Sequence, residues 1–171
     1  TRRSSDLDNP FVSYAFLSAL EDSGSAGART GWLPQHAALR DGDGRLVAVA
    51  PMYAKSHSYG EYVFDHAWAD ACRRAGIAYY PKLLGAVPFS PVTGARLLGD
   101  AQAAGQLLAA LTAGLSTEGL SGLHVNFTSP ACSTHFMLYC VAGMSEAGSR
   151  YSGTSWSSGR SPITTPAAWV E

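Results

Sequence analysis

The sequence predicts an α/β fold of the α+β kind, a mixed sheet with helices packed on it. Residues 1–128 form the domain, and residues 129–171 a Ser/Thr-rich irregular tail. Three observations predict this. Stretches with apolar residues every three or four positions alternate with short apolar runs of strand length. One pair of such runs is joined by Asp41-Gly42-Asp43-Gly44, which has the chemistry of a tight turn. The composition, 46% hydrophobic and 15% charged over 171 residues, supports a single core. A chain of this length buries about 70% of its unfolded surface on folding.

The elements follow in order. Asp8 or Asn9 can cap a first helix, with Pro10 in its first turn, where no backbone donor is needed. Phe11, Tyr14, Leu17 and Leu20 mark one apolar face of it, and Gly24 and Gly27 end it. Gln35–Arg40 and Arg45–Tyr53 are the arms of a hairpin about the Asp-Gly turn. The Leu46–Ala50 stretch is nearly all apolar, as in a strand covered on both faces. Ser56–Tyr62 reads as a loop, and Phe64–Ala75 as a helix with Phe64, Trp68, Ala71 and Cys72 on one side. Arg73-Arg74 suit its C-terminal end, with Gly76 beyond.

Lys82–Phe89 is a strand, Pro91–Gly94 a turn, and Ala95–Leu98 a short extended piece. Ala101–Leu115 is a helix with Leu107, Leu108, Leu111 and Leu115 as its buried stripe. Leu123–Phe127 alternates at period two and forms a further strand. After Thr128 the composition shifts: Ser and Thr number 13 of the last 43 residues, against 17 of the first 128. Residues 145–166 show neither helical nor strand periodicity, so they are expected to pack poorly.

Charge and composition exclude several function classes. There are 12 Lys+Arg against 13 Asp+Glu, and only Arg2-Arg3 and Arg73-Arg74 are adjacent. That is no footprint for DNA or for an anionic membrane surface. No apolar run approaches the roughly 18 residues of a membrane span. Cys72, Cys132 and Cys140 are odd in number and irregularly spaced, unlike a secreted disulfide framework. The N-terminal residues lack the apolar centre of a signal peptide. These features predict a cytoplasmic, reduced protein.

Three segments could carry chemistry. His57 to Trp68 concentrates two histidines, two carboxylates and four aromatics in twelve residues. It reads either as an aromatic-walled cleft with a base or as a helix cap beside a core-facing aromatic cluster, and the spacing favours the second. Tyr79-Tyr80-Pro81-Lys82 and Val87–Gly94 flank the next strand, where α/β folds commonly bind ligands, although such a turn is more often purely structural. Arg96-Leu97-Leu98-Gly99-Asp100-Ala101 fits Arg/Gln-x-x-Gly-x-Gly/Ala, the pyrophosphate-loop pattern of acetyl-CoA-dependent N-acetyltransferases. Arg96, Gly99 and Ala101 are thus its cofactor-binding candidates at a helix N-terminus. Asp100 would set a negative charge there and suits an ordinary N-cap, which is the favoured reading. Cys132-x-x-His135-x4-Cys140 lacks a fourth ligand, so no metal site is expected.

Four stretches carry a family resemblance: Asn9–Leu17, Gly31–His36, Tyr53-Ala54-Lys55-Ser56-His57-Ser58-Tyr59-Gly60-Glu61-Tyr62-Val63-Phe64-Asp65, and Tyr80–Leu83 with Pro88–Gly94. Over about residues 9 to 128 the chain resembles the FemAB-like predicted N-acyltransferases. These are bacterial proteins labelled peptidoglycan biosynthesis or recognition proteins, within the wider GNAT superfamily. Family members are about twice this length and carry two GNAT-like halves. The resemblance therefore implies a GNAT-like mixed sheet that is incomplete at the C-terminus, and a tail produced by a reading-frame change or a truncated gene.

It further implies transfer of an acyl or aminoacyl group to a small-molecule amine acceptor. The donor would be acyl-CoA or aminoacyl-tRNA as co-substrate, with no permanently bound cofactor. Activity of this chain by itself is expected to be low. A non-catalytic binding or vestigial half of a two-domain enzyme is the alternative. Residue chemistry then suggests the roles: Glu61 and His66 are candidate bases, Asp65 could orient His66, and Tyr59, Tyr62, Trp68, Tyr80 and Lys82 could line the substrate site.

Overall fold

One long hairpin organises the chain. In the computed structural model, which describes residues 9–128 and the strand at 163–164, its first arm consists of β1 (Trp32–Pro34) and β2 (Ala37–Arg40). Its second arm consists of β3 (Leu46–Ala50) and β4 (Tyr53–Lys55). A single register runs through both halves, from Trp32↔Lys55 and Pro34↔Tyr53 to Ala37↔Ala50 and Leu39↔Ala48. At the joint Gln35 N–H donates to Met52 O at 2.8 Å. The next bond passes to a side chain: Met52 N–H donates to His36 Nδ1 at 3.1 Å. The long second arm expected from the sequence is therefore two strands. They divide next to Pro51, which has no N–H to donate to a ladder.

The turn is built as the Asp-Gly chemistry predicts. Asp41 Oδ1 accepts from Asp43 N–H at 3.0 Å and Arg45 N–H at 2.9 Å, and Gly44 supplies a φ of 81°. Ala38 pairs antiparallel with Val49, so the hairpin forms as expected. Val47 is the extra residue of a bulge, because Leu39 faces Ala48 while Arg40 faces Leu46.

Each half of the hairpin extends into its own four-stranded sheet. β5 (Lys82–Gly85) pairs antiparallel with β4, and β7 (Leu123–Val125) pairs parallel with β5, giving the mixed order β1-β4-β5-β7. The second sheet has the order β6-β3-β2-β8, with β6 (Leu98–Gly99) and β8 (Ile163–Thr164) on its edges. The irregular reading of residues 145–166 misses β8, which pairs with Ala38 and Leu39. Two residues are too few for periodicity to show.

The helices are α1 (Tyr14–Asp22), α2 (His66–Arg74) and α3 (Ala101–Gly114). Asn9 caps a 3-10 turn over Pro10–Val12, and Ser13 Oγ caps α1 by accepting from Phe16 N–H at 3.3 Å. The helix thus starts at Tyr14 rather than Pro10. Asp100 caps α3, its Oδ1 accepting from Ala103 N–H at 2.8 Å. Ala103, Leu107, Leu111 and Leu115 lie buried on one side of α3. They pack against Ala37, Leu39, Ala48, Ala50, Met52, Leu83 and Leu123, forming the main core.

The pleat carries through the joint. Ala48, Ala50 and Met52 face α3, whereas Tyr53 faces the other side with Trp32 and Leu84, where Leu20 of α1 meets them. Glu21 of α1 reaches the joint itself, 2.8 Å from His36 Nε2 and 3.3 Å from the Tyr53 hydroxyl. The result is an α+β fold with, among the described residues, three α-helices and two sheets, one of them mixed.

Candidate functional site

Lys55 closes β4 and Lys82 opens β5, and the antiparallel register sets them directly opposite each other. They are the only two lysines in the chain. Both are 0% exposed. Like charges opposite one another on a sheet repel, and an isolated charge out of water costs several kcal/mol or more. This end of the sheet therefore requires negative charge, and the loop between β4 and α2 brings it in as Glu61 and Asp65, also buried.

Lys82 Nζ lies 2.5 Å from Asp65 Oδ2 and 2.9 Å from Glu61 Oε2. Asp65 also accepts from the Tyr79 hydroxyl at 2.7 Å and from Ser58 Oγ, which is bonded in turn to the Tyr80 hydroxyl. Burial alone would raise the Asp65 carboxyl. The hydrogen bonds from Lys82, Ser58 and Tyr79, with the Lys82 charge, outweigh it and hold the group at about 2. Glu61 is in the opposite state: burial raises its carboxyl, and the charges of Lys82 and Lys55 only partly offset this. Lys82 meets its Oε2 in an ion pair, and Oε1 has no hydrogen-bond partner among the described residues.

Lys55 has neutral partners. Its Nζ sits 3.7 Å over the Trp32 ring and donates to Tyr59 O at 3.2 Å. Burial, with the Lys82 charge, brings its ammonium down to about 8, against the pull of Glu61. His124 of β7 is pushed down to about 4 by burial and by Lys82. Trp32 is 0% exposed and packs against the rings of Tyr53 and Phe89 at 5.5 and 5.4 Å. Gly60 makes the close loop packing possible: at φ 78°, a Cβ there would lie 2.6 Å from a Phe89 ring carbon.

The loop thus has the reverse of the polarity expected for a cap with core-facing aromatics. Glu61 and Asp65 are inside, while Tyr59, Tyr62, Phe64 (89%) and Trp68 (58%) are exposed. No residue of α2 is buried, so the side expected to pack does not. Asp65 stands at the N-cap of α2 without a capping bond, because its oxygens are taken by Lys82, Tyr79 and Ser58.

Of the sequence-derived candidates, the structure brings together Glu61, Asp65, Lys82 and Tyr80. Tyr59 joins through its backbone oxygen, and Tyr62 follows Glu61 at a left-handed φ of 56°. His66 is exposed at the first position of α2 and makes none of the network's hydrogen bonds. Arg96 lies elsewhere and is buried, donating to Asn126 O at 3.0 Å, to Ala95 O at 3.2 Å and to Val92 O. Gly99 pairs with Ala48 in β6, and Ala101 opens α3 behind the Asp100 cap.

Sequence reasoning missed Lys55, Ser58 and Trp32 as site residues, and had Tyr79 only as part of the segment Tyr79–Lys82. The available signal was that the only two lysines each terminate a strand of one antiparallel pair. Among the described residues no group of three or more His, Cys, Asp and Glu could hold a metal, and no helix is long and apolar enough to cross a membrane. Cys132, His135 and Cys140 lie outside the described residues.

Fold and site together define an α+β domain that buries two lysines and two carboxylates at one end of a mixed sheet, beneath exposed aromatics. The chain belongs to the FemAB-like family, described as peptidoglycan biosynthesis/recognition, whose model matches residues 2–151. That match runs past Thr128, where the resemblance carried by the motifs stops. Membership implies a peptidoglycan-related transferase role. No curated protein and no solved structure matches the chain significantly.

Proposed function

We propose that this domain transfers an acyl or aminoacyl group from acyl-CoA or aminoacyl-tRNA to an amine, on a GNAT-like scaffold, with Glu61 as the base. The observation that carries the reading is the state of Glu61: buried, raised by that burial, and with one oxygen uncommitted. An amine acceptor arrives as an ammonium ion and must lose a proton before its nitrogen can attack a carbonyl. A carboxylate raised above its ordinary range takes that proton more readily than an exposed one. The new bond is an amide, and the thiol or hydroxyl of the donor departs with a proton. Asp65 is unsuited to this role because three donors hold it ionised; it positions Lys82 instead. Tyr59 and Tyr62, on either side of Glu61 in the loop, and Trp68 of α2 would wall the acceptor.

The complete burial of Lys55, Lys82 and Glu61 favours a second reading, a domain that binds its ligand without turning it over. Incubating the chain with acyl-CoA donors and a panel of amines, following free thiol, separates the two. Transfer is expected to fall by about 10²–10⁴-fold in Glu61→Gln. The acid limb of the rate profile should lie above 4.5, the ordinary value for this carboxyl. A rate unchanged by Glu61→Gln contradicts the assignment. Ligand binding with no transfer by the native chain establishes the binding reading.

A further inference from the structure

Among the described residues, two buried polar atoms near Gly60, besides the Glu61 Oε2 that faces Lys82, have no hydrogen-bond partner. One is the Trp32 Nε1–H donor, on a residue that is 0% exposed; the other is Glu61 Oε1, an acceptor on a residue that is 1% exposed. Gly60 links the residues that carry them. The position a Cβ would take on Gly60 is 3.3 Å from Trp32 Nε1, and Glu61 is the next residue in the chain. Lys55 ties the same two groups from beneath, with its Nζ over the Trp32 ring and its charge acting on Glu61. Native proteins leave few buried polar atoms unpaired, because each forfeits its hydration with nothing in return. An unpaired donor and an unpaired acceptor on residues that meet at Gly60 are complementary to a group that both accepts and donates.

We infer that Trp32 Nε1 and Glu61 Oε1 form a subsite for an amide group, its carbonyl oxygen accepting from the indole and its N–H donating to the carboxylate. The choice of an amide, the product of acyl transfer to an amine, rests on the function proposed above. The outer wall is the Phe89 ring, 5.4 Å from Trp32, which would touch any side chain at Gly60 and is itself 42% exposed. Phe89 holds a left-handed φ of 56°, a strained conformation for a non-glycine residue that clusters at ligand clamps. Entry to the subsite is by displacement of this ring.

The test is a titration of the full chain, labelled with 15N in its four tryptophans, with N-acetylalanine methylamide. N-acetylproline dimethylamide, which accepts but cannot donate, is the control. The Trp32 indole N–H resonance, assigned by its loss in Trp32→Phe, should shift saturably. The donor-bearing probe should bind at least about fivefold more tightly than the control, as expected for one added hydrogen bond of about 1 kcal/mol. Trp32→Phe keeps a ring beneath Lys55 and should weaken binding by a similar factor. If that variant does not fold, the native titration still decides, with the other three indoles assigned by substitution. An unmoved Trp32 resonance, or equal affinity for the two probes, overturns the subsite. Amide binding at Trp32 without any acyl transfer sinks the proposed function and leaves the subsite standing. Transfer with an unresponsive indole does the reverse.

Discussion

Lys82→Met is expected to lower the stability of the domain by about 3–5 kcal/mol, the usual consequence of removing one partner from a buried ion cluster. Methionine nearly conserves the volume, so the loss comes from charge. Asp65 loses its donor at 2.5 Å and Glu61 its counter-charge at 2.9 Å, and both remain buried. The pH dependence should change as well. In the native chain Asp65 is held at about 2 against an ordinary 3.8, so its contribution is complete above about pH 4 and is lost as pH falls through that window. Glu61, already raised by burial in the native chain, loses its nearest counter-charge without Lys82 and rises further. Its ionisation then opposes folding more strongly, so the variant should gain more stability than the native chain as pH falls from 7 toward 4.5. Adding Glu61→Gln should recover part of the loss, because the two positions share one network. Urea unfolding at pH 7 and pH 4.5 measures all of this. A loss under about 1 kcal/mol at pH 7 would show that the cluster is solvated.

Gly99→Ala is expected to cost about 3 kcal/mol for a different reason. Gly99 has φ 150°, which L-residues rarely adopt, and a Cβ there would meet Val47 O at 2.7 Å and Ala48 Cβ at 2.9 Å. Those atoms belong to β3, so β6 would have to move off the sheet edge. The internal control is Gly105→Ala in α3, where a Cβ meets nothing within 4 Å and helix propensity should add about 0.5–1 kcal/mol. Thermal unfolding of the two variants should therefore shift in opposite directions. Equal, small effects would mean that Gly99 does not need its backbone conformation.

These two positions also show what the sequence could and could not reveal. Gly99 drew attention as part of a phosphate-loop pattern, but a six-residue pattern cannot distinguish a glycine that admits a ligand from one that admits a neighbouring strand. Asp100 was correctly readable as a cap because capping is local. The same holds for the Asp41–Gly44 turn, the α3 stripe at Leu107 and Leu111, and the strands at Lys82 and Leu123. The loop from Ser56 to Asp65 read less well. Aromatics at helical spacing normally face a core, whereas here Phe64 and Trp68 are outside. The loop is fixed instead by a non-local requirement, two lysines opposite each other on β4 and β5. That requirement is visible only once the strands are paired. Glu61, Asp65, Lys82 and Tyr80 could be picked by residue type, but their joint geometry depended on Lys55 and Ser58, which draw no notice singly.

The two lysines make the cluster directly measurable. In protein labelled with 13C at lysine Cε, the signals of Lys55 and Lys82 can be followed by titration and assigned by Lys55→Met. Lys55, buried over the Trp32 ring, is expected to titrate with a midpoint of about 8. A Lys55 midpoint above about 10, the value of an exposed ammonium, would contradict a buried, coupled charge cluster at this end of the sheet.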